Sequence, residues 1–170
     1  MILNKKERRM KMKNVVLTRV DDRLIHGQVM TSWLNYTSAT KIMVVDDKSA
    51  EDPFLKTVLK NAVPKNVGLG VFTAKRAAER LLGKGFPPSD RVIILVKYPA
   101  TVIKMMEYGV QFDKINIGGM GAAEGRTKFY KNISASEKEK EMLRKMIDSG
   151  CKVEIQIIAE NEAVDVSKLL

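Results

Sequence analysis

A single histidine and a single cysteine occur in the 170 residues, and aromatic side chains make up only 6% of them. One cysteine, Cys151, closes no intramolecular disulfide, and no Cys/His pair has metal-ligand spacing, so a disulfide scaffold and a zinc module are both excluded. Cys151 follows Gly150 at a helix-to-strand junction and reads as a small, half-buried hydrophobe rather than a reactive thiol. Sparse aromatics argue against stacking platforms for single-stranded nucleic acid. Long apolar runs are missing too: a stretch such as Val92 to Val96 is flanked by charge and falls far short of the roughly 20 residues that span a bilayer. The opening segment lacks the apolar stretch of a secretory signal, which points to the cytoplasm. The chain has no internal repeat and no low-complexity linker.

Positive charge is what the chain has in excess, with 30 Lys and Arg against 20 Asp and Glu and a formal net charge of +10. A clustered basic face would suggest a phosphate-backbone binder. The distribution weakens that reading, because residues 1–13 hold six basic side chains and one acidic one, half of the net excess. Residues 1–12 are therefore expected to be a disordered basic tail, with the domain spanning 13–170. A hydrophobic fraction of 45% over this length suits one sizeable core and one domain.

Short β-branched segments alternate with helical patterns along that domain. Residues 14–20, 41–46, 67–72, 91–97 and 152–158 read as strands, with a shorter one at 114–117 running into Gly118-Gly119. Near-continuous apolar character in the second and fourth suggests burial on both faces, the habit of parallel strands covered by helices. Asp52-Pro53, Thr73 and Pro99 mark helix starts, and further helices are expected over about 27–35 and 136–149. Ser136-Glu137-Lys138-Glu139 has the form of a capping box, and Gly150 that of a helix-ending C′ residue. Met105, Met106, Met142 and Met146 fall at helical spacing and read as core. The alternation predicts an α/β fold: a mostly parallel central sheet with helices on both faces, a three-layer sandwich.

Ligands of open α/β sheets bind beyond the carboxyl ends of the strands. The first such loop is the richest, reading Arg19-Val20-Asp21-Asp22-Arg23-Leu24-Ile25-His26-Gly27-Gln28. Imidazole is largely neutral at cytoplasmic pH and offers a ring-nitrogen lone pair to phosphorus. A phosphohistidine product would need positive charge and backbone donors, which Arg23 and a helix beginning near Gly27 supply. Gly27 leaves room for close approach to the backbone. From the residues alone, a lone histidine near a helix start is more often a capping or satisfied polar side chain than a catalyst, and His26 is readable as either. Asp21 and Asp22 are likewise readable as turn and cap residues, and Arg19 and Arg23 as their partners.

The ten-residue loop resembles the signature of the sorbose- and mannose-family IIB subunits of the bacterial phosphotransferase system (PTS). Val44-Val45-Asp46-Asp47 with Asp52-Pro53, Leu95-Val96-Lys97-Tyr98-Pro99, Ile115-Asn116-Ile117-Gly118-Gly119-Met120, Gly125-Arg126 and Glu154-Ile155-Gln156 resemble family blocks in the same order, over about residues 13–160. The resemblance implies a cytoplasmic protein-histidine–sugar phosphotransferase, peripherally associated with membrane permease subunits. Its phosphoryl group would come from a phosphorylated IIA partner and pass to a sugar entering through IIC and IID. It makes His26 the phosphorylated residue, through Nδ1, and Arg23 the leading phosphate stabiliser, with Arg19, Asp21, Gly27 and Gln28 as further phosphate-site positions. It implies no metal and no organic cofactor. One departure stands out: Gly121 follows Met120 where many relatives carry histidine or another polar residue.

Two other readings use different residues. A receiver-like domain would phosphorylate Asp46 or Asp47 with Mg²⁺ and leaves the His26 loop unexplained. A nucleic-acid-binding module would work through residues 1–13 and bind in a salt-sensitive way; the expectation is no nucleic-acid partner. The sugar and any homo-oligomer stay open.

Overall fold

The computed structural model describes residues 4, 6–7 and 12–170, with the side chains of Gln28 and Val29 outside that description. Most of the expected tail lies outside the described residues, but Asn4 and Glu7 hold a reciprocal cap, each backbone N–H donating to the other's side chain at 2.8 and 3.0 Å.

Strands β1 (Val15–Asp21), β2 (Lys41–Val45), β3 (Gly68–Phe72), β4 (Val92–Val96), β5 (Lys114–Gly119), β8 (Lys152–Ile155) and β9 (Val164–Asp165) form one sheet in the order β3-β2-β4-β1-β5-β8-β9. All pairs are parallel except the last. Two further strands, β6 (Thr127–Tyr130) and β7 (Ile133–Ala135), make an antiparallel hairpin between β5 and the final helix. The α-helices among the described residues include α1 (Gly27–Thr37), α2 (Asp47–Glu51), α3 (Pro53–Ala62), α4 (Ala74–Leu82), α5 (Pro99–Glu107) and α6 (Glu137–Asp148), and a 3-10 turn follows β9 at Val166–Lys168.

The sheet divides the core in two. One face carries Val20, Met43, Val45, Ile94, Val96, Ile115, Ile117 and Val153 against Ala77 and Leu81 of α4, Val102 and Met105 of α5, and Leu143 and Met146 of α6. The other carries Ile42, Val44, Ile93 and Leu95 against Met30, Trp33 and Leu34 of α1 and Leu59 of α3. This alternation along β2 and β4 is the two-sided burial that the apolar runs predicted. The expected three-layer α/β sandwich is therefore the observed one.

The predicted caps form as hydrogen bonds. Asp52 accepts from Phe54 and Leu55 N–H, Thr73 from Arg76 N–H, and Ser136 and Glu139 complete the capping box. α1 runs two residues past its expected end, because Ser38 takes a left-handed conformation and donates its N–H back to the helix. The last parallel strand stops at Ile155 instead of 158, since the Gln156 and Ile157 carbonyls turn inward to a buried arginine. α2, the hairpin and β9 are short elements that periodicity could not flag.

Strand order locates the crevice. From β1 the chain crosses toward β2 on one side; from its neighbour β5 it proceeds to β8 on the other. Adjacent strands whose connections leave in opposite directions open a cleft at their carboxyl ends. Here that cleft lies between the Asp21–His26 loop and the Gly119–Arg126 loop.

Candidate functional site

β1 places Arg19 and Asp21 on the α1 side of the sheet, both with fully buried side chains (0% exposed). Arg19 Nη1 donates to Asn116 Oδ1 at 2.6 Å and to the Gln156 carbonyl at 2.9 Å. Its Nη2 donates to Asp21 Oδ2 at 3.1 Å and to the Ile157 carbonyl at 2.8 Å, and the guanidinium lies 5.3 Å from the Trp33 ring centroid. Burial pulls this guanidinium down to about 10, opposed by Asp21, so it remains a cation at neutral pH. Gly118 and Gly119 make the space: a Cβ at Gly118 would overlap the Arg19 guanidinium, and one at Gly119 would overlap the Asp21 carboxylate.

Asp21 is the hub. Besides Arg19, its carboxylate accepts from Arg23 Nε at 3.0 Å, Arg23 Nη2 at 3.2 Å and the Arg23 backbone N–H at 3.2 Å. The Arg23 fork is thus held by two of its nitrogens while its side chain stays 49% exposed, which leaves Nη1 for an incoming anion. Leu24 adopts a left-handed φ of 55°, a conformation that costs a leucine on the order of 1–2 kcal/mol. It turns the Leu24 carbonyl to His26 Nδ1, 3.0 Å away. A carbonyl only accepts, so this contact puts the proton on Nδ1. Nε2 lies buried 3.9 Å from Asp21 Oδ2, without a hydrogen bond.

His26 is the N-cap residue of α1, in extended conformation, and its side chain does not cap the helix. No acidic residue sits in the first turn. The amides at this helix start therefore keep their capacity for an external anion. By contrast, Asp46, Asp52, Thr73 and Ser136 cap α2, α3, α4 and α6. Gly27 has φ +31°, and a Cβ at this position would meet nothing within 4 Å, so its requirement is conformational rather than steric.

The structure brings His26, Arg23 and Gly27 together at the mouth of the crevice. It corrects the expectation for Arg19 and Asp21 as phosphate contacts: both lie fully buried beneath the mouth, with the Arg19 η nitrogens and the Asp21 carboxylate already bonded within the protein. They hold Arg23 and the loop. The side chain of Gln28 lies outside the described residues.

Both aspartates of the receiver-like alternative are tied into local structure. Asp46 accepts from Ser49 N–H and Oγ as a helix cap, and Asp47 from Ala74 N–H and Lys104 Nζ. Among the described residues, no group of three or more His, Cys, Asp or Glu side chains could hold a metal ion. Burial pushes the Cys151 thiol up to about 12, in keeping with a packing role.

A feature not foreseen from sequence is the far wall. Asp22 Oδ2 accepts from Gly121 N–H at 2.8 Å and from Arg126 Nη1 at 3.3 Å, and the other edge of Arg126 grips Glu139 of α6. The only sequence signals are Gly125-Arg126 in a glycine-rich loop and a glutamate at the third position of a capping box. Gly121 itself is not sterically required, since a Cβ there would meet only Asp22 Oδ2 at 3.6 Å.

Residues 15–170 match the family model described as the PTS system sorbose subfamily IIB component. The chain belongs to this IIB family. It is 29% identical over 159 residues to the fructose-specific EIIB component of Bacillus subtilis, covering 94% of this chain and 97% of that one. It is 32% identical over 154 residues to the mannose-specific EIIAB component of Escherichia coli, covering 91% of this chain but 47% of that longer protein. The crystal structure of the IIB domain of the sorbose permease from Klebsiella pneumoniae superposes with a TM-score of 0.82 at 29% identity, covering 91% of this chain and 94% of that one. This IIB component is accordingly a phosphotransferase component of PTS sugar transport. No helix among its described residues is long and apolar enough to cross a membrane.

Proposed function

We propose that this IIB component carries a phosphoryl group on His26, taking it from a phosphohistidine on a IIA partner and delivering it to a sugar during uptake through membrane IIC and IID subunits. The observation that carries the reading is the convergence, at the crevice mouth, of the chain's one histidine, an arginine pinned by a buried aspartate, and a helix start without a side-chain cap.

In the first step a His26 nitrogen lone pair forms an N–P bond as the donor's N–P bond breaks, returning an electron pair to the donor imidazole. In the second, a sugar hydroxyl oxygen attacks phosphorus as the N–P bond breaks; the bonding pair returns to the imidazole, which takes up the hydroxyl proton and is released as neutral His26. Both steps need alignment and charge stabilisation more than covalent help. Arg23 Nη1 and the first amides of α1 meet the phosphoryl oxygens. The resemblance implies attack through Nδ1, yet in the resting site that nitrogen is bound to the Leu24 carbonyl. Before Nδ1 can attack, the ring must turn off this carbonyl and the Nδ1 proton must pass to Nε2, the nitrogen that rests 3.9 Å from Asp21 Oδ2.

The EIIAB name of the Escherichia coli relative supports a IIA partner, since IIA and IIB share a chain there. The net positive charge suits a phosphate-bearing partner. The protein would work at the cytoplasmic side of the membrane, docked peripherally to its permease. Incubation with phosphorylated IIA and mapping of the label tests the carrier step. Acid-labile, alkali-stable phosphate on His26, absent from H26A, is expected; label elsewhere, or none, overturns it.

A further inference from the structure

We propose that Arg126 is a positioning residue for the phosphoryl site, acting through Asp22 on the loop that bears Arg23 and His26. The inference rests on the carrier reading of His26 and adds a group far from the loop in sequence.

Asp22 stands between the hub Asp21 and the anion-facing Arg23. Its backbone N–H donates to the Gly119 carbonyl at 3.0 Å, and its Oδ2 accepts from the Gly121 N–H at 2.8 Å. One residue therefore joins the ends of β1 and β5, the two strands that flank the crevice. Arg126 locks this joint. Nη1 donates to Asp22 Oδ2 at 3.3 Å and to the Gly121 carbonyl at 2.8 Å, gripping both sides of the crevice at once. Nε donates to the Glu139 oxygens at 3.2 and 3.0 Å, and Nη2 to Oε1 at 2.7 Å. Glu139 is fixed in turn, because its Oε2 accepts from the Ser136 N–H in the α6 capping box.

The guanidinium is a rivet between two carboxylates, with its side chain 7% exposed. Hydrogen bonds to Glu139 hold it above its ordinary value, so it stays charged. Each of its three nitrogens is engaged within the protein, which argues for positioning rather than contact with phosphate. Without it, Asp22 and Glu139 would face a vacated space as two carboxylates lacking a counter-charge. The Asp22–Gly121 joint would loosen, and with it the wall against Arg23, whose Nη2 lies 3.1 Å from where a Gly119 Cβ would stand. A displacement of about 1 Å can cost on the order of a hundredfold in a reaction governed by alignment.

The test measures transfer from phosphorylated IIA to wild type, R126Q, D22N and the double variant, with melting curves for each. The expected result is a kcat at least about tenfold lower in each single variant, KM for the donor within about twofold, and a double variant no slower than the slower single. A shorter phosphohistidine half-life and a shifted ³¹P resonance should accompany the loss in R126Q, readouts that a purely structural role would leave unchanged. If wild type takes no label on His26, the carrier reading fails. If wild type is labelled and folded R126Q matches its kcat, or the losses in the double variant multiply, Arg126 has no such role. Should R126Q fail to fold, R126K carries the test, and a wild-type kcat in R126K overturns the proposal.

Discussion

Placing a methyl group on Gly118 probes the least accessible part of the site. A Cβ at this position would overlap Cζ and both η nitrogens of Arg19, a side chain that is fully buried and bonded to Asn116, Asp21 and two carbonyls. The guanidinium cannot yield without leaving those partners. Overpacking alone costs about 1–3 kcal/mol, and separating a buried cation from its carboxylate costs about 3–5 kcal/mol. The two overlap, because the displaced arginine relieves the clash as it loses its bonds, so G118A should destabilise by about 3–5 kcal/mol. At about 2–4 °C per kcal/mol for a domain of this size, the melting temperature should fall by roughly 6–20 °C. Urea denaturation would measure the loss, with an unchanged m-value showing that the denatured state is not responsible. Combining G118A with R19M, which removes the obstructing head group, should cost less than the sum of the two singles. If G118A unfolds within about 1 kcal/mol of wild type, below the usual cost of overpacking, the tight fit between Gly118 and Arg19 is not a feature of the folded protein.

Three further outcomes follow from the same geometry. Arg23→Ala should slow phosphoryl transfer about 10- to 100-fold, the equivalent of one charge-assisted hydrogen bond, while the half-exposed position keeps the melting temperature near wild type; full activity in R23A would remove it from the phosphate site. Burial raises the Glu139 carboxyl, but the Arg126 fork and the Ser136 amide outweigh burial and hold it below the usual range. Its folded value is therefore depressed, so its stabilisation is complete above the unfolded pKa of about 4.3 and is lost as pH falls through the folded value; urea midpoints should drop in that window for wild type and less steeply for E139Q. At pH 8, with its thiol pushed up to about 12, only about one Cys151 in 10⁴ is thiolate, so a thiol reagent should label the native protein far more slowly than the urea-unfolded one.

What the sequence made legible follows the range of the physics behind each signal. The caps at Asp52, Thr73 and Ser136 are local devices within four residues, and each forms as written. The buried strands β2 and β4 declare themselves through composition, because a strand covered on both faces must be apolar throughout. His26 and Arg23 stand out as candidates because their loop is crowded with charge at the strand ends where α/β sheets bind ligands. Arg19 departs from its expected role for a reason that spacing cannot reveal. In the chain it is one more arginine two residues before Asp21, yet its fate depends on Asn116 and on the Gln156 and Ile157 carbonyls, 97 to 138 residues away. A buried arginine in a strand needs an opposing strand without side chains at the crossing point, and the Gly118-Gly119 pair is that requirement written in sequence. Beside Arg19, the two glycines mark a cavity for a guanidinium and a carboxylate; alone, they look like a strand ending. The proposed phosphoryl site is consequently built from below: the glycines admit Arg19 and Asp21, Asp21 fixes Arg23, and only then does an exposed arginine acquire the fixed orientation that a phosphoryl group on His26 would require.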